Sequence, residues 1–438
     1  MLSGTEYKNT DEVFGVARDI PLNYVTRPDV DDVLNRSLKM KKHLVIFGSS
    51  KQGKTSLRKY NMAEGSYSWI TCSNRWDLGE LHAAILKAVG FEISQSSTIS
   101  QGKHHKIQAS IKGQLGTQNS KIGVDIAAET GDNTEAETEK IKLELDPDDV
   151  NEVIGALNEA KAKKFLVLED FHYLPDETQN DFAVALKAFH ESSDYTFVVV
   201  GVWKDENKLI QANGDLSGRV ISINADKWST EKLSEVIKGG EERLNIRFAP
   251  NFKSSLLEGC FGSVYVVQEA CRVVCEEKGI WRTQEENVEV DADAQRIIKQ
   301  VVNANSARYR GFIESFASGF QSSALEMYRW LLLPILTADV ETLDKGLAMR
   351  DIKMMLDRYH PKGPLNAGNL TQALKSTVSL QIHTNLKPVI IDYDESIRRL
   401  NVVDQSFLIW LQHQDRYDLL ECAGLTEFLD QEQIQDLT

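Results

Sequence analysis

The chain has few of the features that mark secreted, membrane-embedded or DNA-coating proteins. Its 438 residues include only five cysteines and nine prolines, and 65 Asp and Glu outnumber 50 Lys and Arg. No run of about 18 apolar residues occurs, so no transmembrane helix is expected. The polar, mixed-charge N-terminus is unlike a signal or transit peptide. We therefore expect a cytoplasmic protein with no membrane partner.

The scattered cysteines and the acidic balance exclude two further classes. Cysteines four residues apart occur once, and we expect all five thiols to be reduced and mostly buried rather than to hold a metal or form disulfides. They are Cys72, Cys260, Cys271, Cys275 and Cys422. A net charge of −15 argues against a surface that wraps DNA on every side.

One short stretch, LVIFGSSKQGKTSLRKY, carries the most specific signal. It fits the pattern G-x-x-x-x-G-K-[ST], and it follows an apolar run and opens a helical pattern, which is the context that this phosphate-binding motif requires. The alternative is a glycine turn before an ordinary helix. The predicted nucleotide-binding residues are Gly48, Ser49, Ser50, Lys51, Gln52, Gly53, Lys54, Thr55 and Ser56.

Two side chains of this motif have predicted chemical roles. Lys54 is expected to reach the β- and γ-phosphate oxygens of ATP, while backbone N–H groups surround the phosphates. The Thr55 hydroxyl is a predicted ligand of Mg²⁺.

A second apolar run, FLVLED, ends in two acids that would complete the metal site. By alignment Glu169 takes the Mg²⁺ position and Asp170 the position that polarises the attacking water. Because Asp is one methylene shorter than Glu, we expect the water to be held less well and hydrolysis to be slow. The alternative is that one acid only caps the following turn.

The order of elements predicts an α/β fold with a parallel sheet. Apolar strand-like runs alternate with amphipathic helical patterns, which is typical of a sheet covered on both faces. A helical region follows, and then three helices and a β-hairpin, which is the winged-helix plan. The predicted divisions are an N-terminal segment (1–40), a P-loop core (41–226) with an insertion (92–147), a helical lid (227–322), a winged helix (323–414) and an acidic tail (415–438).

The insertion (92–147) interrupts the alternation of strand and helix patterns in the core. Two alternating stretches, HKIQASIKGQLG and SKIGVDIAAETG, predict a β-hairpin or a mobile loop. Its lysines and His104–His105 are candidates for contact with nucleic acid or a partner. A solvated hairpin without a partner is the alternative.

The chain resembles the AAA+/STAND superfamily of P-loop ATPases in the order of its parts. These are the phosphate-binding motif, the strand FLVLED with its two acids, the helical lid and the winged helix. The likeness is to initiator-like ATPases and to ATPases of bacterial conflict systems. It implies a homo-oligomer in which Arg219 is the arginine finger, reaching a neighbour's γ-phosphate; a surface arginine is the alternative. Tyr24 and Arg27 resemble the segment that packs on adenine, although a role at the start of a helix fits them equally.

Some family features are missing. The run TFVVVGVW lacks the polar sensor residue at its end, where Gly201 follows. The lid helix has neither the sensing arginine nor Gly-x-Pro, and Arg272 is a weak substitute. These departures argue against motor-like coupling of hydrolysis to movement.

Two functions are therefore compatible with the sequence. The first is an ATP-binding, slowly hydrolysing switch that oligomerises and regulates a separately encoded protein effector; the resemblance extends this to bacterial antiphage defence. The second is a DNA-binding initiator or loader that uses the winged helix. The segment 326–404 carries ten acids and ten Lys or Arg and no basic stripe, so docking of protein or of DNA stays open.

Overall fold

The computed structural model describes residues 7–15, 19–95, 106–112, 140–320 and 325–437. The strands are β1 (His43–Phe47), β2 (Tyr67–Thr71), β3 (Glu92–Gln95), β4 (Ile107–Lys112), β5 (Lys140–Leu145), β6 (Phe165–Glu169), β7 (Thr196–Val200), β8 (Val220–Asn224), β9 (Ile246–Phe248), β10 (Val288–Val290), β11 (Leu347–Ala348), β12 (Ile391–Asp394) and β13 (Arg399–Val402).

The helices follow the same order along the chain. They are α1 (Thr10–Phe14), α2 (Val33–Ser37), α3 (Lys54–Asn61), α4 (Leu78–Ala88), α5 (Val150–Glu159), α6 (Asp176–Ser192), α7 (Lys208–Ala212), α8 (Thr230–Leu244), α9 (Pro250–Gly259), α10 (Val264–Glu277), α11 (Ala294–Asn303), α12 (Ser306–Ser318), α13 (Met327–Thr337), α14 (Val340–Lys345), α15 (Met349–Tyr359), α16 (Ala367–Lys375), α17 (Thr377–His383), α18 (Gln405–Gln412), α19 (Arg416–Cys422) and α20 (Gln431–Leu437).

A five-stranded parallel sheet forms the centre of the core, in the order β2-β6-β7-β1-β8. Leu44 of β1 lies opposite Val198 of β7 on one side and Ile221 of β8 on the other. All five residues of β1 are buried, as expected for a strand covered on both faces. Since the strands are parallel, their carboxyl ends, including Phe47 and Glu169, meet at one edge.

Each face of the sheet has its own apolar layer. On one face, Phe182 and Phe189 of α6 pack against Phe197 of β7, with ring centroids 5.2 and 4.7 Å apart. On the other face, Leu57 of α3 and Leu34 of α2 are completely buried against Ile46 and its neighbours. The predicted doubly covered parallel sheet is therefore present.

The lid and the C-terminal unit share one continuous hydrophobic core. The lid is helical as expected, but it also contains a two-stranded parallel sheet of β9 and β10 that the sequence reading missed. In the C-terminal unit, helices precede the β12–β13 hairpin, and β11 joins that hairpin as a third strand. This order of elements matches the winged-helix plan; the domain boundaries stay predictions.

Three details differ from expectation. The predicted third winged-helix segment, near 366–377, breaks at Ser376 and continues as α17. Residues 415–437, part of the predicted acidic tail, contain the helices α19 and α20, and Leu420 and Leu437 on them are buried in the shared core. The insertion contains a three-stranded antiparallel sheet, β3-β4-β5, of which β4 was predicted and β3 and β5 were not.

Part of the predicted insertion lies outside the described residues. This applies to the stretch SKIGVDIAAETG and to His104 and His105. In the described part, Lys106 pairs with Glu144 at 3.5 Å on the surface. None of the helices within the described ranges has the length and apolar character needed to cross a bilayer.

The packing of Phe197 gives a test of the core. Replacing Phe197, which is fully buried between two phenylalanines, with alanine should lower the free energy of unfolding by about 3–5 kcal/mol, because a cavity replaces the ring. Denaturant titration would measure the loss. Val184→Ala, on an exposed position of α6, is the control and should change stability by only about 0.5 kcal/mol. Equal effects of the two substitutions would contradict this packing.

Candidate functional site

The predicted phosphate loop, residues 48–53, connects β1 to α3 at the carboxyl edge of the sheet. Gly53 has φ +79° and caps α3 in a left-handed conformation that favours glycine. The loop is covered, because Ser49, Gln52 and Lys54 are all buried. The Lys54 ammonium donates to the carbonyl oxygens of Gly48, at 3.0 Å, and Ser49.

The loop binds an acid that the sequence reading missed. The Ser49 backbone N–H donates to both carboxylate oxygens of Asp226, at 2.7 and 2.8 Å, and the Ser49 hydroxyl donates to Oδ2 at 2.7 Å. Asp226 follows β8, whose pairing with β1 continues in a bond from the Ala225 N–H to the Phe47 carbonyl. The sheet therefore brings this carboxylate to the start of the loop.

The C-terminal unit also contacts the loop. The Ser50 backbone N–H donates to the Val403 carbonyl at 2.8 Å, and the Gln52 amide bonds to the side chain of Gln405. From the lid side, the Trp228 indole N–H donates to the Gln52 carbonyl at 3.3 Å. The phosphate loop is thus a junction between the core, the lid and the C-terminal unit.

The two predicted acids lie at the end of β6, near the loop. Burial raises the pKa of Glu169, although the Arg58 guanidinium opposes this, and Arg58 Nε lies 2.7 Å from Glu169 Oε1. Burial likewise raises the pKa of Asp170, while Lys54 and Lys387 lower it. Asp170 has a left-handed backbone (φ +57°) and precedes a short 3₁₀ helix.

The Lys54 ammonium interacts electrostatically with both of these acids. Burial lowers the pKa of Lys54 to about 8, and the carboxylates of Asp226, Glu169 and Asp170 oppose that effect. The structure therefore brings together the lysine, the loop and both acids that were predicted from separate segments. Thr55, at the start of α3, is exposed at the same end of the sheet.

These residues suit a hard divalent cation. Mg²⁺ is usually bound by one or two protein oxygens together with substrate phosphates. The Thr55 hydroxyl and the Glu169 carboxylate would hold it. The bound cation would neutralise charge on the phosphate oxygens. Which acid binds the metal and which orients the water stays a prediction.

Tyr24 and Arg27 have defined structural roles. Arg27 is buried, lies over the Trp228 ring at 3.9 Å, and donates to the Ala225 carbonyl at 2.7 Å. The Tyr24 hydroxyl donates to Asp31 at 2.6 Å, and its ring stacks on Tyr60. Both hold the start of a π-helical turn, Pro28–Asp32, against the core, as the helix-start alternative anticipates.

Arg219 does not join the site within one chain. Its backbone precedes β8 at the amino end of the strand, whereas the phosphate loop lies at the carboxyl end of the sheet. The five residues of β8 separate the two ends by about 16 Å. Its guanidinium pairs with Glu191 at 2.8 Å and bonds to the Asp215 carbonyl. Any role as an arginine finger must therefore be in a neighbouring copy.

Neither position considered for a sensor residue, Arg272 or Gly201, supplies a free polar side chain. Arg272 pairs with Glu269 and Glu276 on its own helix α10. At the end of β7, a Cβ on Gly201 would lie 1.7 Å from the buried Trp203 ring, so a polar side chain cannot replace this glycine without displacing the indole.

Comparison with known proteins supports the fold. A Walker-type ATPase of Pyrococcus abyssi superposes with a TM-score of 0.53 at 14% sequence identity, over 91% of this chain and 99% of that chain. The Orc1 protein of Aeropyrum pernix, in complex with DNA, gives 0.45 at 10% identity, over 98% of this chain and 99% of that chain. No family model and no curated protein matches. The superposition on the Pyrococcus abyssi ATPase and the five-stranded parallel sheet confirm the predicted fold class, an α/β P-loop NTPase architecture.

The lowered pKa of Lys54 predicts that nucleotide affinity depends on pH. In the free protein Lys54 loses its proton above about pH 8, whereas phosphate binding needs the ammonium. Affinity for Mg-ATP should therefore fall about tenfold between pH 7 and about pH 9, because the ammonium fraction falls about tenfold. Isothermal titration calorimetry would measure it. Lys54→Met should bind weakly at both pH values, and a wild-type affinity that does not change with pH would contradict this role.

Proposed function

We propose that the chain is an ATP-binding switch that hydrolyses ATP slowly with Mg²⁺. The observation that carries the proposal is the convergence of the phosphate loop, buried Lys54 and the acids Glu169 and Asp170 at one edge of a parallel sheet. Ligands of open α/β sheets bind at that edge. Lys54 would contact the phosphates and the loop would orient them.

Three features support slow hydrolysis over fast turnover. Asp170 has a short side chain for orienting a water molecule, and Arg58 already binds Glu169. Gly201 offers no polar side chain at the end of β7. An enzyme with these groups keeps bound ATP for longer than a motor would, which suits a protein whose conformation reports the nucleotide.

Assembly would complete the site. Arg219 lies at the far edge of the sheet, so it can reach only the nucleotide of a second copy. An arginine added in this way supplies positive charge as the phosphoryl group transfers. We therefore propose a homo-oligomer in which Arg219 of one copy assists hydrolysis in the next.

The C-terminal unit is the proposed output of the switch, since it contacts the phosphate loop directly. The resemblance to conflict-system ATPases supports a separately encoded protein effector as its target, in bacterial antiphage defence. The initiator-like alternative would place DNA there instead. However, Lys375 pairs with Glu395, and Arg399 donates to the Gly346 carbonyl, so two of the basic groups nearest the hairpin are already engaged.

Turnover measured against protein concentration tests this proposal. Wild-type ATP hydrolysis per chain should rise steeply with protein concentration. The Arg219→Ala substitution should lower turnover by about a thousandfold or more, and only in assembled protein, because the arginine acts between copies. Arg296→Ala, which removes a surface ion pair with Glu277 on the lid, is the matched control.

The same assay separates the two partner classes. Turnover indifferent to duplex DNA is expected for a protein-directed switch. Stimulation by DNA that fades with added salt would favour the initiator-like function. An equal loss of turnover in monomeric Arg219→Ala would contradict a role between copies.

A further inference from the structure

The phosphate loop is already bonded to acceptors from its own chain. Ser49 donates its backbone N–H to the Asp226 carboxylate, and the neighbouring Ser50 donates to the Val403 carbonyl. Backbone N–H groups of this loop are the donors that would bind nucleotide phosphates. A carboxylate oxygen and a phosphate oxygen offer the same acceptor chemistry and the same sign of charge. The two cannot hold the Ser49 N–H together.

The Asp226 contact is specified by the local backbone. A Cβ on Gly48 would lie 2.6 Å from Asp226 Oδ1, so only glycine lets the carboxylate approach this closely. The Asp226 N–H donates to the Asn224 side chain at 2.8 Å, which holds the turn after β8. The sheet bond from Ala225 to Phe47 fixes the same turn from the other side.

The Val403 contact is equally well anchored. Its N–H donates to the Ile390 carbonyl at 2.8 Å, and its side chain is buried with Val202 and Val389 where the core meets the C-terminal unit. The next residue, Asp404, pairs with Arg308 and is almost completely buried. A nucleotide that took the Ser50 N–H would therefore have to displace an ordered part of the C-terminal unit.

We propose that Asp226 is an internal phosphate mimic that, together with the Val403 carbonyl, closes the phosphate loop, so that ATP binds only when both are displaced. This inference rests on the proposed function and names its regulation. Because binding free energies are reciprocal, a partner that pulls the C-terminal unit from the loop would raise nucleotide affinity, and nucleotide would loosen that unit. The apparent association constant for nucleotide is the intrinsic constant multiplied by the fraction of molecules whose loop is open.

Asp226→Asn tests the mimic. It keeps the size of the side chain but removes the charge, and charge-assisted hydrogen bonds are roughly twice as strong as neutral ones. We expect Mg-ATP and inorganic triphosphate to bind about tenfold more tightly than to the wild type. Triphosphate reports on the loop alone, since it has no base or sugar. Asp194→Asn, which makes the same charge change beside Lys41 on the surface, should leave both affinities unchanged.

A second variant keeps the test independent of Asp226. Gln405→Ala removes the side-chain bond between the C-terminal unit and Gln52 without altering charge. It should also tighten triphosphate binding, though less than Asp226→Asn does. Thermal unfolding and circular dichroism would establish that each variant is folded.

The outcomes distinguish the inference from the function on which it rests. Tighter binding by Asp226→Asn and Gln405→Ala supports the mimic. Equal or weaker binding by both folded variants, with a wild type that binds ATP, overturns the mimic and leaves the proposed function intact. If no variant binds ATP or triphosphate at millimolar concentration, the proposed function itself fails.

Discussion

The hydrogen-bonding needs of the phosphate loop are the constraint on which the rest of the arrangement depends. Buried backbone N–H groups are costly when they lack an acceptor. Here the loop is buried, and Ser49 and Ser50 find acceptors in Asp226 and Val403. The same loop therefore binds the end of β8 and the C-terminal unit. The hydrogen bonds of the loop thus connect the sheet to the C-terminal unit.

Electrostatics reinforce this arrangement. Burial alone would disfavour the Lys54 ammonium, and the carboxylates of Glu169, Asp170 and Asp226 partly restore it. Arg58 binds Glu169 in turn, with both side chains largely buried. Removing one partner of such a pair is costly, because it leaves an uncompensated buried charge. Nucleotide binding here would exchange one set of anions around Lys54 for another, rather than fill a neutral pocket.

The sequence predicted those parts whose signals are local. The loop motif, the apolar strands and the acids at the end of FLVLED each lie within one short segment, and the parallel sheet follows from their alternation with helices. Asp226 was missed although it follows a strand, because nothing in the sequence says that β8 lies beside β1. The bonds from Val403 and Arg58 are also long-range, and Arg58 was hidden inside a helical pattern. The segment 415–437 was predicted to be an acidic tail because of its charge, whereas its buried leucines determine its packing.

The most direct test of the central claim is calorimetric titration of Mg-ATP into the wild-type protein and Lys54→Ala. We expect one site per wild-type chain and loss of binding in the variant, because Lys54 is the cation that faces Glu169, Asp170 and Asp226. A Lys54→Ala protein that remains folded and binds ATP as tightly as the wild type would contradict the claim that this loop is the nucleotide site.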